Sequence, residues 1–273
     1  DLPCEPGCAA PVLGGGLVLA MRDGVWRFDP ARGERTERLA EAPYEQARER
    51  FNDGKADPQG RLWAGTIYEP RDKPAAALYR LDGDRMTRIA GDVTTSNGLA
   101  WSPDGRTLYW SDTKAHAVRA FDLAGADGAL GPGRTFARFD PKPADGTLDG
   151  YAGRPDGAAV DRDGNYWVAM YEGAQLLCFA PDGTRLRSVP LPARCPTMPA
   201  HAVHHHRPRG PRRRRAGGAA AGRPRAEPAR GRAGPAGQLR APVSSPLNPP
   251  AALARNARWA GWPAPGGSTS WSA

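Results

Sequence analysis

The sequence predicts an all-β fold of the β-propeller class, on three observations: one strand–turn–strand motif recurs, each copy is followed by a further strand, and the copies return at blade-like intervals. Residues 52–66, 97–111 and 156–169 align by eye, each as an apolar run, a Pro- or Gly-bearing turn and a second apolar run. With Phe28, Leu81, Phe121 and Phe179 taken as equivalent, the intervals are 53, 40 and 58 residues. A four-stranded blade runs to about 40–50 residues, so the longer intervals carry loop insertions. A solenoid would repeat in shorter units, and an immunoglobulin-like sandwich would not repeat one motif strand for strand.

The elements follow in order. The first copy survives as strands over 16–20 and 24–30. In the second, a hairpin turns at 57–60 and a third strand covers 77–82; in the next, the turn is 102–105 and the third strand 117–122. The last visible copy turns at 161–164, continues over 175–180 and ends in a turn at 181–183. Proline and glycine in these turns supply the backbone angles that a tight connection needs. Trp63, Trp110 and Trp167 read as one repeat position, and so as packing residues between blades rather than a stacking platform. About four blades are therefore predicted.

Composition divides the chain at residue 200. Residues 1–200, the partial propeller, carry 25 Lys and Arg against 28 Asp and Glu, whereas residues 201–273 carry 13 Arg and a single acid, Glu227. The +9 total charge belongs to the tail, so the electrostatic argument for nucleic acid does not extend to the body, and no nucleic-acid partner is expected. The tail lacks Asp, Lys, Ile, Phe and Tyr and contains His204, His205, His206 and four consecutive arginines from Arg212. Such a composition buries too little apolar surface to offset ordering entropy and predicts disorder. The abrupt end of the repeat further predicts coding sequence read out of frame after Ala200. No apolar run is long enough to span a bilayer, and Cys4, Cys8, Cys178 and Cys195 lack zinc-site spacing. Free thiols and a cytoplasmic location are expected.

Asn52 with Asp53, Asn97 and Asp156 open the three aligned repeats at equivalent positions. Hard oxygen donors from separate blades, directed at one axis, suit Ca2+ or a similar ion. Asn-Gly and Asp-Gly also begin turns, and spacing alone leaves both readings open. His116, between two alanines, reads as a surface or loop residue, and no serine lies in a nucleophile-elbow pattern.

Residues 50–61, headed by Arg50, Phe51, Asn52, Asp53 and Gly54, resemble the signature segment of the senescence-marker-protein/gluconolactonase family, also called regucalcin-like. Residues 96–109 and 154–164 resemble its two further signatures in order and spacing, and 195–198 resembles the segment entering a next blade. The resemblance spans almost all of 1–200. It implies a six-bladed propeller and one divalent cation, Ca2+ first with Zn2+, Mn2+ and Mg2+ open, held by an N-terminal glutamate, Asn97 and Asp156. It further implies that Arg50 and Asn52 contact substrate, that Glu69 stands on the pocket wall, and that Asp156 doubles as ligand and general base. Asp53 and Asp112 are expected to orient ligands. The glutamate has no counterpart here and is expected on a strand preceding Asp1. The implied function is divalent-metal-dependent hydrolysis of small-molecule sugar lactones to aldonic acids; the alternatives are a non-catalytic calcium-binding or scaffold propeller, or an inactive fragment.

Overall fold

A computed structural model describes residues 2–124 and 128–199; the tail of 201–273, for which disorder and a shifted frame are predicted, lies outside the described residues. All regular structure among them is strand, and no helix is long and apolar enough to cross a membrane. Four sheets follow one another along the chain. The first holds β1 (Pro6–Pro11), β2 (Leu17–Met21), β3 (Gly24–Asp29) and β4 (Glu34–Glu41), and the second β5 (Glu49–Ala56), β6 (Leu62–Tyr68), β7 (Ala76–Asp82) and β8 (Arg85–Val93). The third holds β9 (Ser96–Trp101), β10 (Thr107–Asp112), β11 (Ala117–Ala124) and β12 (Ala129–Arg138), and the fourth β13 (Arg154–Val160), β14 (Tyr166–Tyr171), β15 (Gln175–Phe179) and β16 (Arg185–Pro190). Each sheet is an antiparallel meander in chain order. The first strands pack on one another in succession, β1 on β5, β5 on β9 and β9 on β13, which makes them the inner strands of four consecutive propeller blades.

Burial follows position within a blade. β6 is buried at every residue, and β10 and β14 at all but one, because a second strand is covered on both faces by the adjoining blades and so reads as a continuous apolar run. The outer strands β4, β12 and β16 are largely exposed. Three apolar cores fill the spaces between consecutive blades: Val18, Phe51 and Tyr79 in the first, Trp63, Leu78 and Trp110 in the second, Tyr109, Tyr166 and Phe179 in the third. Turns 57–60, 102–105 and 161–164 close with the N–H of Gly60, Gly105 and Gly164 donating to the carbonyl three residues back, at 2.9, 2.9 and 3.1 Å. All three glycines have positive φ, the conformation their lack of a Cβ permits.

The tryptophans do not share one position. Trp63 pairs with Arg80 and Trp167 with Cys178, each one residue before the equivalent Leu81 and Phe179; in the third blade that place belongs to Tyr109, opposite Ala120. The cause is a longer turn. The Asp57 and Asp161 N–H groups donate their closing bonds to the carbonyls of Arg61 and Asn165, four along, whereas the Ser102 N–H donates to the Thr107 carbonyl, five along. One inserted residue turns every later side chain to the other face, so Trp110 packs back towards the second blade and Tyr109 forwards towards the fourth. The indole N–H groups follow suit: Trp63 and Trp167 donate to the turn carboxylates of Asp57 and Asp161 at 2.8 and 2.9 Å, while Trp110 donates to Ser96 Oγ at 2.7 Å.

His116 lies in the turn before β11, as a loop residue, but is buried rather than on the surface. Its Nδ1 lies 3.1 Å from Lys114 O, and its Nε2 accepts from the Lys142 N–H at 3.3 Å and meets Tyr151 Oη at 2.7 Å. Burial pushes its pKa down, which suits a neutral ring bonding at both nitrogens.

Candidate active site

Every inner strand departs from regular pairing at one place. The register slips at Gly7 in β1, at Asn52 in β5, across Gly98 and Leu99 in β9, and across Asp156 and Gly157 in β13. These are β-bulges, which bend a strand and re-aim a side chain. Their effect is to bring Asn52, Asn97 and Asp156, from three blades, to the lining of one cleft of about 540 Å3, together with Arg50, Asp53 and Thr113.

Gly98 shows why the bulge needs its residue. Its φ is +61°, and a Cβ there would stand 2.6 Å from Ser111 Oγ, 2.7 Å from Tyr166 Oη and 2.8 Å from the Asp156 carbonyl oxygen. Only glycine lets β9 and β13 approach this closely. Tyr166 completes the junction by donating to the Gly98 carbonyl at 3.0 Å.

Hydrogen bonds set the orientation of the Asn97 amide. Thr113 donates its hydroxyl hydrogen to the Pro155 carbonyl at 2.7 Å, so its Oγ1 is left as an acceptor for Asn97 Nδ2 at 2.7 Å. The Asn97 oxygen is thereby directed to the cleft, where Asn52 Nδ2 reaches it at 2.9 Å; the same Nδ2 lies 3.0 Å from the Ser96 carbonyl. Thr113 thus ties the third blade to the residue preceding Asp156. It was not among the residues picked from the sequence; its only signal there is its place next to Asp112 at the inner end of β10.

Electrostatics divide the carboxylates. Burial, and then the neighbouring Asp53 charge, push Asp156 up to about 7. Asp53 is itself raised by burial, against the pull of Lys55 and of backbone N–H donors, which include Leu99 at 3.3 Å and Gly54 at 2.9 Å. Lys55 is lowered by burial and donates to the Ala158 carbonyl at 2.8 Å, joining the second blade to the fourth. Two like charges in one cleft favour a cation there. Asp112 has a different task. Its carboxylate accepts from the N–H groups of Thr94, Thr95 and Lys114 at 2.9, 3.1 and 3.0 Å, which pins the connector before β9.

Arg50 lines the cleft and contacts Glu69 at 3.3 Å, the Phe51 carbonyl at 3.0 Å and Asn52 Oδ1 at 3.4 Å. Glu69 stands one side chain further back. Arg22 holds it through two bonds of 3.0 and 3.1 Å and keeps its carboxyl below the usual range, so its direct effect is on Arg50. Thr197 and Met198 reach the same cleft, and the Thr197 carbonyl receives the Gly157 N–H at 3.0 Å. Among the described residues no three His, Cys, Asp or Glu side chains form a metal cage; the hard donors present are the Asp156 and Asp53 carboxylates and the Asn97 amide oxygen.

Comparison with known proteins gives a consistent set. The family model described as SMP-30/Gluconolactonase/LRE-like region matches residues 1–206. A 6-deoxy-6-sulfogluconolactonase from Pseudomonas putida is 44% identical over 201 residues, covering 73% of this chain and 66% of its own length. Regucalcin from Danio rerio is 38% identical over 192 residues, covering 68% and 61%. The crystal structure of a calcium-binding protein, regucalcin, from Agrobacterium tumefaciens superposes with a TM-score of 0.64 at 27% identity, covering 72% of this chain and 64% of that one. The chain thus spans about half to two thirds of the length of the curated relatives it matches.

Proposed function

The chain belongs to the SMP-30/gluconolactonase/LRE-like family, and from that premise we propose that its four blades carry the cleft of a divalent-metal-dependent hydrolase of sugar lactones. The observation that supports this most is the convergence of Asn97, Asp156, Asn52 and Arg50 on one cleft from three different blades. The donor chemistry fits a hard cation: an amide oxygen held towards the cleft by Thr113 and a carboxylate whose charge is disfavoured until a positive partner arrives. Asn97 and Asp156 would hold that ion, Ca2+ in the first instance. When bound, it supplies Lewis-acid polarisation of the lactone carbonyl.

Asp156 does the proton transfer. As carboxylate it takes a proton from water while the water oxygen bonds to the lactone carbonyl carbon. The ring C–O bond then breaks, and the proton on Asp156 passes to the departing ring oxygen, leaving an aldonic acid that ionises in solution. Arg50 supplies N–H donors to sugar hydroxyls and to the developing oxyanion, and Asn52, whose amide hydrogens go to the Ser96 carbonyl and the Asn97 oxygen, borders the substrate beside it. Glu69, by fixing Arg50 through the 3.3 Å contact, keeps that donor aimed. Asp53 accepts backbone N–H groups at the β9 bulge and so keeps Asn97 in place.

This assigns the activity to residues 1–200 and none of it to 201–273, and it includes a cytoplasmic site of action, supported by four unpaired cysteines. The test is hydrolysis of aldonolactones, followed by proton release, with and without divalent ion. Metal-stimulated turnover abolished by Asp156→Ala is expected. Cation binding with no turnover on any lactone would replace this reading by a calcium-binding propeller, which the name of the Agrobacterium relative favours.

A further inference from the structure

Four cations line the cleft: Arg50, Arg71, Lys114 and Arg154. Two are already matched. Arg50 contacts Glu69 and Arg154 contacts Glu172, both at 3.3 Å. Arg71 and Lys114 are exposed at the rim, and neither has an ion-pair partner among the described residues.

These two side chains come from different blades but from loops clamped to one connector. The Arg71 N–H donates to the Tyr68 carbonyl at 3.1 Å, and the Tyr68 N–H donates to Thr94 O at 3.0 Å. On the other side, Asp112 accepts from Thr94 and Thr95 as well as from Lys114, and the Thr113 N–H donates to Thr95 O at 3.0 Å. Arg71 also adopts a φ of 56°, in the left-handed region that non-glycine residues seldom occupy. The backbone at both residues is therefore tied to the connector of Thr94 and Thr95.

The cleft lining thus combines two carboxyl groups, Asp53 and Asp156, with two rim cations, Arg71 and Lys114, that no carboxylate matches among the described residues. Asp53 and Asp156 repel a substrate anion from their own neighbourhood, and a neutral sugar leaves the two rim cations without a partner. We propose that Arg71 and Lys114 form an oxyanion subsite, and that the substrate is an aldonolactone bearing a sulfonate, phosphate or carboxylate at the end of the sugar remote from its lactone carbonyl. This rests on the lactonase reading and deepens it. Guanidinium and ammonium donors suit such groups, Arg as a fork and Lys as a point charge, and the cleft volume of about 540 Å3 lies within the range of small-molecule sites.

The experiment compares the full-length, Ca2+-loaded protein with the Arg71→Ala/Lys114→Ala and Arg71→Glu/Lys114→Glu double variants. Its kinetic readout is the ratio of kcat/KM for 6-phosphogluconolactone, 6-deoxy-6-sulfogluconolactone or glucarolactone to that for gluconolactone. A ratio of about tenfold or more is expected for the native protein, near one for the alanine pair and below one for the glutamate pair, with the native ratio shrinking at high salt. The three anionic lactones distinguish phosphate, sulfonate and carboxylate. A native ratio near one, or a ratio that the variants leave unchanged, overturns the subsite while leaving lactone hydrolysis standing. A second arm needs no turnover: 6-phosphogluconate should bind at least tenfold more tightly than gluconate, and the alanine pair should abolish that difference. Equal binding of the two by the native protein overturns the subsite. Preferential binding of 6-phosphogluconate with no hydrolysis of any lactone upholds the subsite and sinks the lactonase reading.

Discussion

Asp156→Asn should stabilise the metal-free protein at neutral pH while destroying its activity, because the same charge that serves the reaction is out of place in the unliganded fold. Burial and Asp53 raise this carboxyl from 3.8 to about 7, which disfavours its charged form in the folded chain by about 4 kcal/mol. Since the folded value lies above the unfolded one, the folded state holds the extra proton between pH 4 and pH 7. The stability it contributes is complete below about pH 4 and lost as pH rises through 7. The asparagine variant keeps the shape without the titration. Its stability relative to the native chain should therefore change little below pH 4, climb between pH 4 and 7, and level off about 4 kcal/mol higher near pH 8. Urea unfolding in the presence of chelator, followed by tryptophan fluorescence at pH 4, 6 and 8, measures this. Added Ca2+ should narrow that gap at pH 8 to about 1 kcal/mol, because ligand at a hundredfold excess over its Kd stabilises the native chain by about 2.7 kcal/mol and the variant has lost the charged donor. A stability difference that is the same at pH 4 and pH 8 would refute the account of Asp156.

Three further outcomes follow from the geometry. Thr113→Val removes the acceptor that orients the Asn97 amide, so Ca2+ affinity should fall roughly 10- to 100-fold in a calorimetric titration, and Thr113→Ser should restore it; an unchanged affinity for the valine variant would show that the amide needs no lock. Gly98→Ala places a Cβ within 2.6–2.8 Å of three atoms at positive φ, and should cost about 3 kcal/mol or more; a variant unfolding at the native urea midpoint would contradict the close approach of β9 and β13. Asn52→Ala should raise KM or lower kcat for lactones with Ca2+ affinity kept within about threefold, since Asn52 donates towards the Asn97 oxygen and cleft through its Nδ2. Collapse of Ca2+ binding in that variant would move Asn52 among the ligands.

The blade plan was legible because it rests on short-range signals. Alternating apolar runs and Gly-bearing turns state which residues pair, and self-similarity states that the unit repeats, so the hairpins of the second, third and fourth blades coincide with the strands observed. The inner strand of the first blade was missed, since β1, with two prolines and a glycine in six residues, has no strand-like composition. Its pairing with β2 and packing on β5 hold it in place. Trp110 was misplaced for a similar reason. A single added residue in the turn 102–107 inverts which blade a side chain faces, and counting from the motif cannot detect that inversion.

The sequence by itself determined the fold class, the order of the first three strands in three blades and the residue types, Arg50, Asn52, Asn97 and Asp156, that meet in the cleft, because each is marked by a local pattern and by resemblance to a known family. Tertiary structure alone decided what those residues do to one another. The bulges that aim them, the Thr113 bridge that turns the Asn97 oxygen inward, the retreat of Glu69 behind Arg50 and the pairing of Arg71 with Lys114 at the rim all depend on contacts between blades. Such contacts join positions 16 to 103 residues apart, and hydrogen-bond direction and like-charge proximity arise only when those positions are brought within a few ångströms in a poorly solvated cleft.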